Sequence, residues 1–347
     1  MEMDEPYENC TLCPRNCRVN RLQGERGYCG EGARMRAAWA GLHLGEEPAL
    51  LGTKGSGTVF FAGCTLKCDY CQNCQLSRRG LGRELSPGEL QLLMLRLQQR
   101  GAANINLVTA SHFAPAIVES VAAAREAGLS IPVVWNSSGY ERLSTLELLG
   151  RTVDIHLPDC KTLDGRLSRR LMGASDYPEV AREALAKMVE DKPLIVEKGQ
   201  IRQGVILRHL VLPGFLPQSR QVLEWFALNM KERALLSLML QYTPVRPEAG
   251  GVQGAGSQTS EAFAPRPTAS PRAGSRPVRA ETAVPSRAVN RREYGQVLSW
   301  LEELGIDDGF LQEPARTDDW LPDFARPNPF PPGQAEPLWH FAKGYLD

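Results

Sequence analysis

Cys64, Cys68 and Cys71 stand as C-x3-C-x2-C directly after the apolar run 58–62. Three thiolates within eight residues can hold three corners of a 4Fe–4S cube. The fourth iron then has no protein ligand and is open to the donor groups of a small molecule. A structural zinc site would want four closed ligands, usually in paired C-x2-C knuckles. Cys74 follows three residues after Cys71; a fourth thiolate would close the cube, so it is read as a bystander. A second set, Cys10, Cys13, Cys17 and Cys29, gathers four thiols within twenty residues spaced by Gly and Pro. Four thiolates suit zinc or an auxiliary iron–sulfur site equally.

Such residues need a scaffold that brings distant loops to one place. The chain alternates strand and helix patterns, as in a parallel sheet covered by helices. Strands are expected at 57–63, 104–109, 132–136, 153–159, 204–212 and 235–242. Helices are expected from Ser86, with a Ser86/Glu89 capping box and leucines 90, 93 and 97 on one face, and then through 127, 177–190 and 219–231. Six strand–helix steps fall short of the eight in a closed barrel. The expected fold class is α/β, an open partial (β/α)6 barrel spanning 51–244. Loops at the carboxyl ends of its strands, 64–71, 109–112, 136–140, 159–161 and 213–214, would then carry the chemistry. Residues 1–50 read as a Cys-rich metal-binding extension. From 245 to 290 the chain turns rich in Pro, Ala, Gly, Ser and Arg, which predicts a disordered linker. Residues 291–347 are expected to pack on the barrel as a helix at 293–304, a short strand at 309–312 and a tail wrapping the surface.

The stretch 55–73 is similar to the radical S-adenosylmethionine superfamily, and within it resembles the branch related to pyruvate formate-lyase activating enzymes. The resemblance spans roughly 8–242 and resumes at 292–324. It implies a partial radical SAM barrel with a 4Fe–4S cluster on Cys64, Cys68 and Cys71, and Tyr70 packing near the adenine of S-adenosylmethionine. Asp159-Cys160-Lys161 matches the family's Asp-x-Lys. Lys161 can meet the methionine carboxylate and Asp159 can accept from the ammonium or orient Lys161. Asn136, Ser137 and Gly139 resemble the family's small-polar turn, where glycine permits close approach to a ligand. Arg208 lies on the matching fifth strand and reads equally as a cofactor contact or a structural ion pair. Where activating enzymes carry Gly-Gly-Glu, this chain has Thr109-Ala110-Ser111-His112 without a carboxylate. His112 is the candidate acid, base or substrate contact.

Composition sets the surroundings. Net charge is zero over 347 residues, so no whole-chain field points to nucleic acid or an anionic membrane. No run reaches the ~20 apolar residues that span a bilayer, and the acidic start 1–5 has no apolar signal region. Nine cysteines, seven of them in two clusters, read as metal ligation in a reducing, cytoplasmic setting. The expected partners are a low-potential electron donor, flavodoxin or ferredoxin, and a substrate that the resemblance allows to be a glycyl-radical enzyme. The rival reading is a non-catalytic scaffold with two metal sites.

Overall fold

Residues 5–245, 284–314 and 321–346 are described by a computed structural model. In chain order the strands are β1 Met35–His43, β2 Ser56–Phe61, β3 Arg83–Leu85, β4 Ile105–Val108, β5 Val133–Ser137, β6 Ile155–Pro158, β7 Ile195–Glu197, β8 Gln200–Leu210, β9 Leu235–Met239, β10 Gly309–Gln312, β11 Ala335–His340 and β12 Gly344–Tyr345. The main sheet runs β10-β9-β8-β6-β5-β4-β2-β1-β11-β12, so its two ends do not meet. From β2 to β10 all neighbours pair in parallel. β1 joins β2 antiparallel, and β11 and β12 extend that edge antiparallel. All six expected strands are present, and the short strand at 309–312 extends the parallel array as a seventh. The result is a mixed α/β fold with a sheet rich in parallel pairs.

Alternation along the strands explains the layers, because successive side chains point to opposite faces. Val59, Phe61, Ile105, Leu107, Val133, Trp135, Val205, Leu207, Leu236 and Leu238 pack outward in one core with the helices. Pro87–Gln99, opened by the Ser86/Glu89 capping box, contributes Leu90, Leu93 and Leu97. Ala114–Glu126, Tyr177–Asp191 and Leu216–Asn229 contribute Ile117, Leu185 and Phe226. The other face buries Val134, Ile155, Leu157 and Ile206 against Ala49 and Leu50 of the short helix Pro48–Leu51. A parallel sheet buried on both faces is the ordinary outcome of such connections.

Three sequence expectations need correction. Met35–His43 falls within the expected extension, yet it is a sheet strand whose Ala37, Ala38, Trp39 and Ala40 are wholly buried. The tail does not merely wrap the surface: β11 hydrogen-bonds to β1, and Phe324 is fully buried beside Phe60. β1 is not evident in the sequence because a strand buried on both faces loses the alternation that marks a surface strand, and β11 is obscured by Pro337 within its run. The expected linker runs through 290, but residues 284–290 are packed. Val289 is buried, Tyr242 donates to the Pro285 carbonyl at 2.8 Å, and Asn290 caps the helix Arg291–Glu303. The remainder of the expected linker, 246–283, lies outside the described residues, as does Trp320.

Candidate functional site

β2 ends at Phe61, and the cysteine loop leaves its carboxyl end. The Leu66 and Lys67 amides approach Cys64 Sγ at 3.4 and 3.5 Å, and the Ser77 hydroxyl donates to Cys71 Sγ at 3.3 Å. Lys67 sits in the left-handed region at φ 52°, a costly conformation for a side chain other than glycine. Cys64 and Cys68 are buried and Cys71 partly so. Burial pushes the Cys68 thiol up to about 12, with Lys161 opposing the rise, and the Cys71 thiol up to about 11. Among the described residues no three His, Cys, Asp or Glu groups are placed to hold a single metal ion. Three thiols with amide and hydroxyl donors aimed at sulfur do fit an iron–sulfur cluster, whose sulfurs are tuned by such hydrogen bonds. Cys74 opens the short helix Cys74–Ser77, and of the four cysteines only Cys68 and Cys71 line the cavity described next.

Cys68, Tyr70 and Cys71 form one wall of a cavity of about 260 Å³. The same cavity is lined by Asn136, Asp159, Lys161 and Arg208, from the ends of β5 and β6 and from β8. Asp159 Oδ2 accepts from Lys161 Nζ at 2.9 Å, and its Oδ1 lies 3.2 Å from Arg208 Nε. Arg208 also donates to Asn136 Oδ1 at 2.6 Å and lies 3.9 Å from Glu46 Oε2. Burial alone would raise the Asp159 pKa, but Lys161 and Arg208 hold it below the usual carboxylate range. Lys161 Nζ lies 6.0 Å above the Tyr70 ring, so the cations and the cysteine loop share one space.

Other expected site residues have different places. Ser137 accepts from the Gly139 amide at 3.2 Å. Gly139, at φ +72°, turns so tightly that a Cβ there would come within 2.3 Å of the Asp159 carbonyl. Its glycine is therefore required by the neighbouring backbone, where the family resemblance assigns it to ligand approach. His112 stands outside the cavity wall and is 1% exposed, with Nε2 at 2.8 Å from the Ala62 carbonyl. Burial first, and then the charge of Arg21, push its pKa down to about 3, so the ring is neutral and locks the loop to β2. The structure thus places His112 as a buried ring tied to the Ala62 carbonyl, apart from the residues that line the cavity.

Motif and spacing miss His43, the last residue of β1, and Glu46 and Glu47 just after it, all of which reach the same cavity. His43 Nδ1 lies 3.2 Å from Glu46 Oε1. No motif marks this loop, and its strand has no surface alternation to announce it. Gln241 and Gln312 line the far side. The loop 109–112 also has a carboxylate after all: Glu141, from beyond β5, accepts from Ser111 Oγ at 2.5 Å.

The leader packs against the cysteine loop. Cys10, Cys13 and Cys29 are buried and Cys17 partly so. Burial pushes the Cys13 thiol up to about 12, and Cys29, Cys10 and Cys17 each add to the rise, so all three lie within electrostatic reach of Cys13. The Tyr28 amide approaches Cys17 Sγ at 3.2 Å.

An uncharacterized protein of Methanocaldococcus jannaschii is 28% identical over 248 residues, 69% of this chain and 67% of its own length. Streptococcus suis SuiB bound to S-adenosylmethionine is a structural neighbour at 12% identity and TM-score 0.44, covering 73% of this chain and 48% of that one. This chain thus spans about half the length of SuiB. A radical SAM methyltransferase from Sphaerobacter thermophilus is 13% identical at TM-score 0.43, covering 76% of this chain and 68% of its own. The sequence model of the Radical SAM superfamily matches residues 58–225, the stretch from β2 into the helix after β8. By that match, the segment that builds the cysteine loop and frames the cavity is similar to the Radical SAM superfamily.

Proposed function

We propose that this chain is a radical S-adenosylmethionine enzyme that abstracts hydrogen from a substrate. One observation carries the reading: Cys68, Tyr70 and Cys71 line a single cavity together with Asn136, Asp159, Lys161 and Arg208. A 4Fe–4S cluster held by Cys64, Cys68 and Cys71 supplies, when bound, the electron that splits S-adenosylmethionine into methionine and a 5′-deoxyadenosyl radical. The protein's own contribution is binding and exclusion of water. Lys161 offers a fixed cation to the methionine carboxylate, with Arg208 beside it, and Asp159 accepts from the ammonium. Asn136 holds Arg208 in place. Phe60, Val108, Leu210, Met239 and Phe330 present apolar walls that keep solvent from reacting groups.

A low-potential donor, flavodoxin or ferredoxin, is the proposed source of electrons. Zinc or a second iron–sulfur cluster is the proposed occupant of Cys10, Cys13, Cys17 and Cys29, and zinc would require these thiols to draw closer together than they stand. Activation of a glycyl-radical enzyme is supported only by the resemblance of 55–73 to activating enzymes. No helix among the described residues is long and apolar enough to cross a membrane. The test is anaerobic reconstitution followed by reduction with dithionite in the presence of S-adenosylmethionine. The wild-type chain should be brown, hold at least ~4 irons, and form 5′-deoxyadenosine, since a single cube already contains that number. Cys64→Ala, Cys68→Ala and Cys71→Ala should each abolish cleavage, while Cys74→Ala retains most of it. A colourless wild-type protein, or loss of the cluster only in Cys74→Ala, overturns the assignment and favours the scaffold reading.

A further inference from the structure

Three consecutive carbonyls of the cysteine loop are each taken by a side chain from elsewhere. Arg15 Nε donates to the Thr65 carbonyl at 2.8 Å, Tyr28 Oη donates to the Leu66 carbonyl at 3.1 Å, and Arg78 donates to the Lys67 carbonyl. Arg15 and Tyr28 both come from the leader, one between Cys13 and Cys17 and the other beside Cys29. They also brace each other, with the Arg15 guanidinium 3.8 Å over the Tyr28 ring. Arg15 reaches on to the Met172 and Gly173 carbonyls at 2.7 and 2.5 Å, which end the helix Gly165–Met172. The leader is thus pinned to the barrel at the point where it holds the loop.

A peptide group is planar, so its carbonyl and the following amide point in opposite directions. Holding the Thr65 carbonyl outward turns the Leu66 amide inward, and holding the Leu66 carbonyl outward does the same for the Lys67 amide. Those two amides are the ones that approach Cys64 Sγ. Lys67 in the left-handed region shows that the loop would not rest in this shape unaided.

We propose that Arg15 and Tyr28 are positioning residues which, by fixing two peptide planes, aim backbone amides at the Cys64 sulfur and so set the reduction potential of a cluster bound there. The inference rests on the functional reading above. Amides directed at sulfur stabilise the more negative, reduced state of a cluster, so their loss makes reduction harder.

The experiment is an anaerobic redox titration followed by electron paramagnetic resonance, on reconstituted wild type, Tyr28→Phe, Arg15→Gln and Arg15→Lys. To read the triad alone, all four carry Cys10→Ser, Cys13→Ser, Cys17→Ser and Cys29→Ser. Tyr28→Phe keeps the ring under Arg15 and removes only the donor. It should bind iron normally yet show a more negative midpoint, with a reduced fraction about tenfold lower at fixed potential, a shift of about 59 mV for a one-electron couple. Arg15→Gln should shift the same way, and Arg15→Lys, which keeps one donor for the Thr65 carbonyl, should recover part of the shift. Unchanged midpoints in Tyr28→Phe and Arg15→Gln at full iron content overturn the proposal and leave the functional reading standing. Should the leader substitutions prevent folding, the same titration on the otherwise unmodified chain, followed at the signal that S-adenosylmethionine perturbs, measures the same midpoints and decides by the same criterion. A wild-type chain that takes up no cluster overturns both together.

Discussion

Lys161 and Asp159 show how one ion pair divides its work. Asp159 is shared between Lys161 and Arg208, so removing Lys161 leaves the carboxylate with a partner. Lys161→Ala should therefore keep the iron and the fold while weakening S-adenosylmethionine binding. A charge-assisted contact of about 1.5–3 kcal/mol corresponds to roughly ten- to a hundredfold, and Arg208 nearby argues for the lower end. Equilibrium binding on the reconstituted protein checks this; unchanged affinity would move the carboxylate contact to Arg208. Glu141 is a different kind of acid. Burial raises its pKa from 4.5 to about 7, against the hydrogen bond from Ser111. Its native pKa exceeds its unfolded one, so between those values the native state binds the extra proton and stability falls as pH rises. In Glu141→Gln that slope should flatten between pH 4.5 and about 7, as melting temperatures across the range would show. A slope that persists would place the ionisation elsewhere.

At the scale of elements, the turn after β5 governs the end of β6. Gly139 and the Asp159 carbonyl leave no room for a methyl group, and the Tyr177 hydroxyl ties the same place to Ser138 and Asp159 at 2.9 Å each. Gly139→Ala combines a left-handed backbone with a backbone clash, a cost of about 2–5 kcal/mol. Melting temperature should drop and S-adenosylmethionine affinity should fall with it, because Asp159 is displaced. A variant with wild-type stability would mean that the turn is freer than its geometry states. The parallel strands and the cysteine loop are legible in the sequence because motif and strand end coincide: 64–71, 136–140 and 159–161 each follow an apolar run. The sequence does not show that the His112 ring turns to the Ala62 carbonyl, because a polar residue on a loop looks the same whether it faces a cavity or a backbone carbonyl. Glu46 and Glu47 are hidden for the opposite reason. They depend on β1, whose run of buried alanines beside Trp39 carries no period-two signal.

For the whole molecule, the decisive contact joins the two ends of the chain. β11 covers the edge of β1, and Phe324 and Phe330 close over Phe60 and Trp39. A chain stopped after residue 320 would expose β1 as a long apolar edge, the usual template for strand-to-strand aggregation. We expect it to be largely insoluble, whereas a chain stopped after 342, which loses only β12, should stay soluble; light scattering of the two distinguishes them. Equal solubility would show that β1 needs no cover. The same pairing sets an order of events in the living cell. Trp39 and His340 are register partners roughly 300 residues apart. A ribosome adds about 5–20 residues each second, so the thiols of the cysteine loop emerge and wait for tens of seconds before the strand that completes their sheet exists. Iron delivered during synthesis would meet an unfinished pocket, and oxygen would meet bare sulfur. On the function proposed above, cluster insertion would be a late step that waits for β11, and the bare thiols would be most open to oxidation before that strand is made.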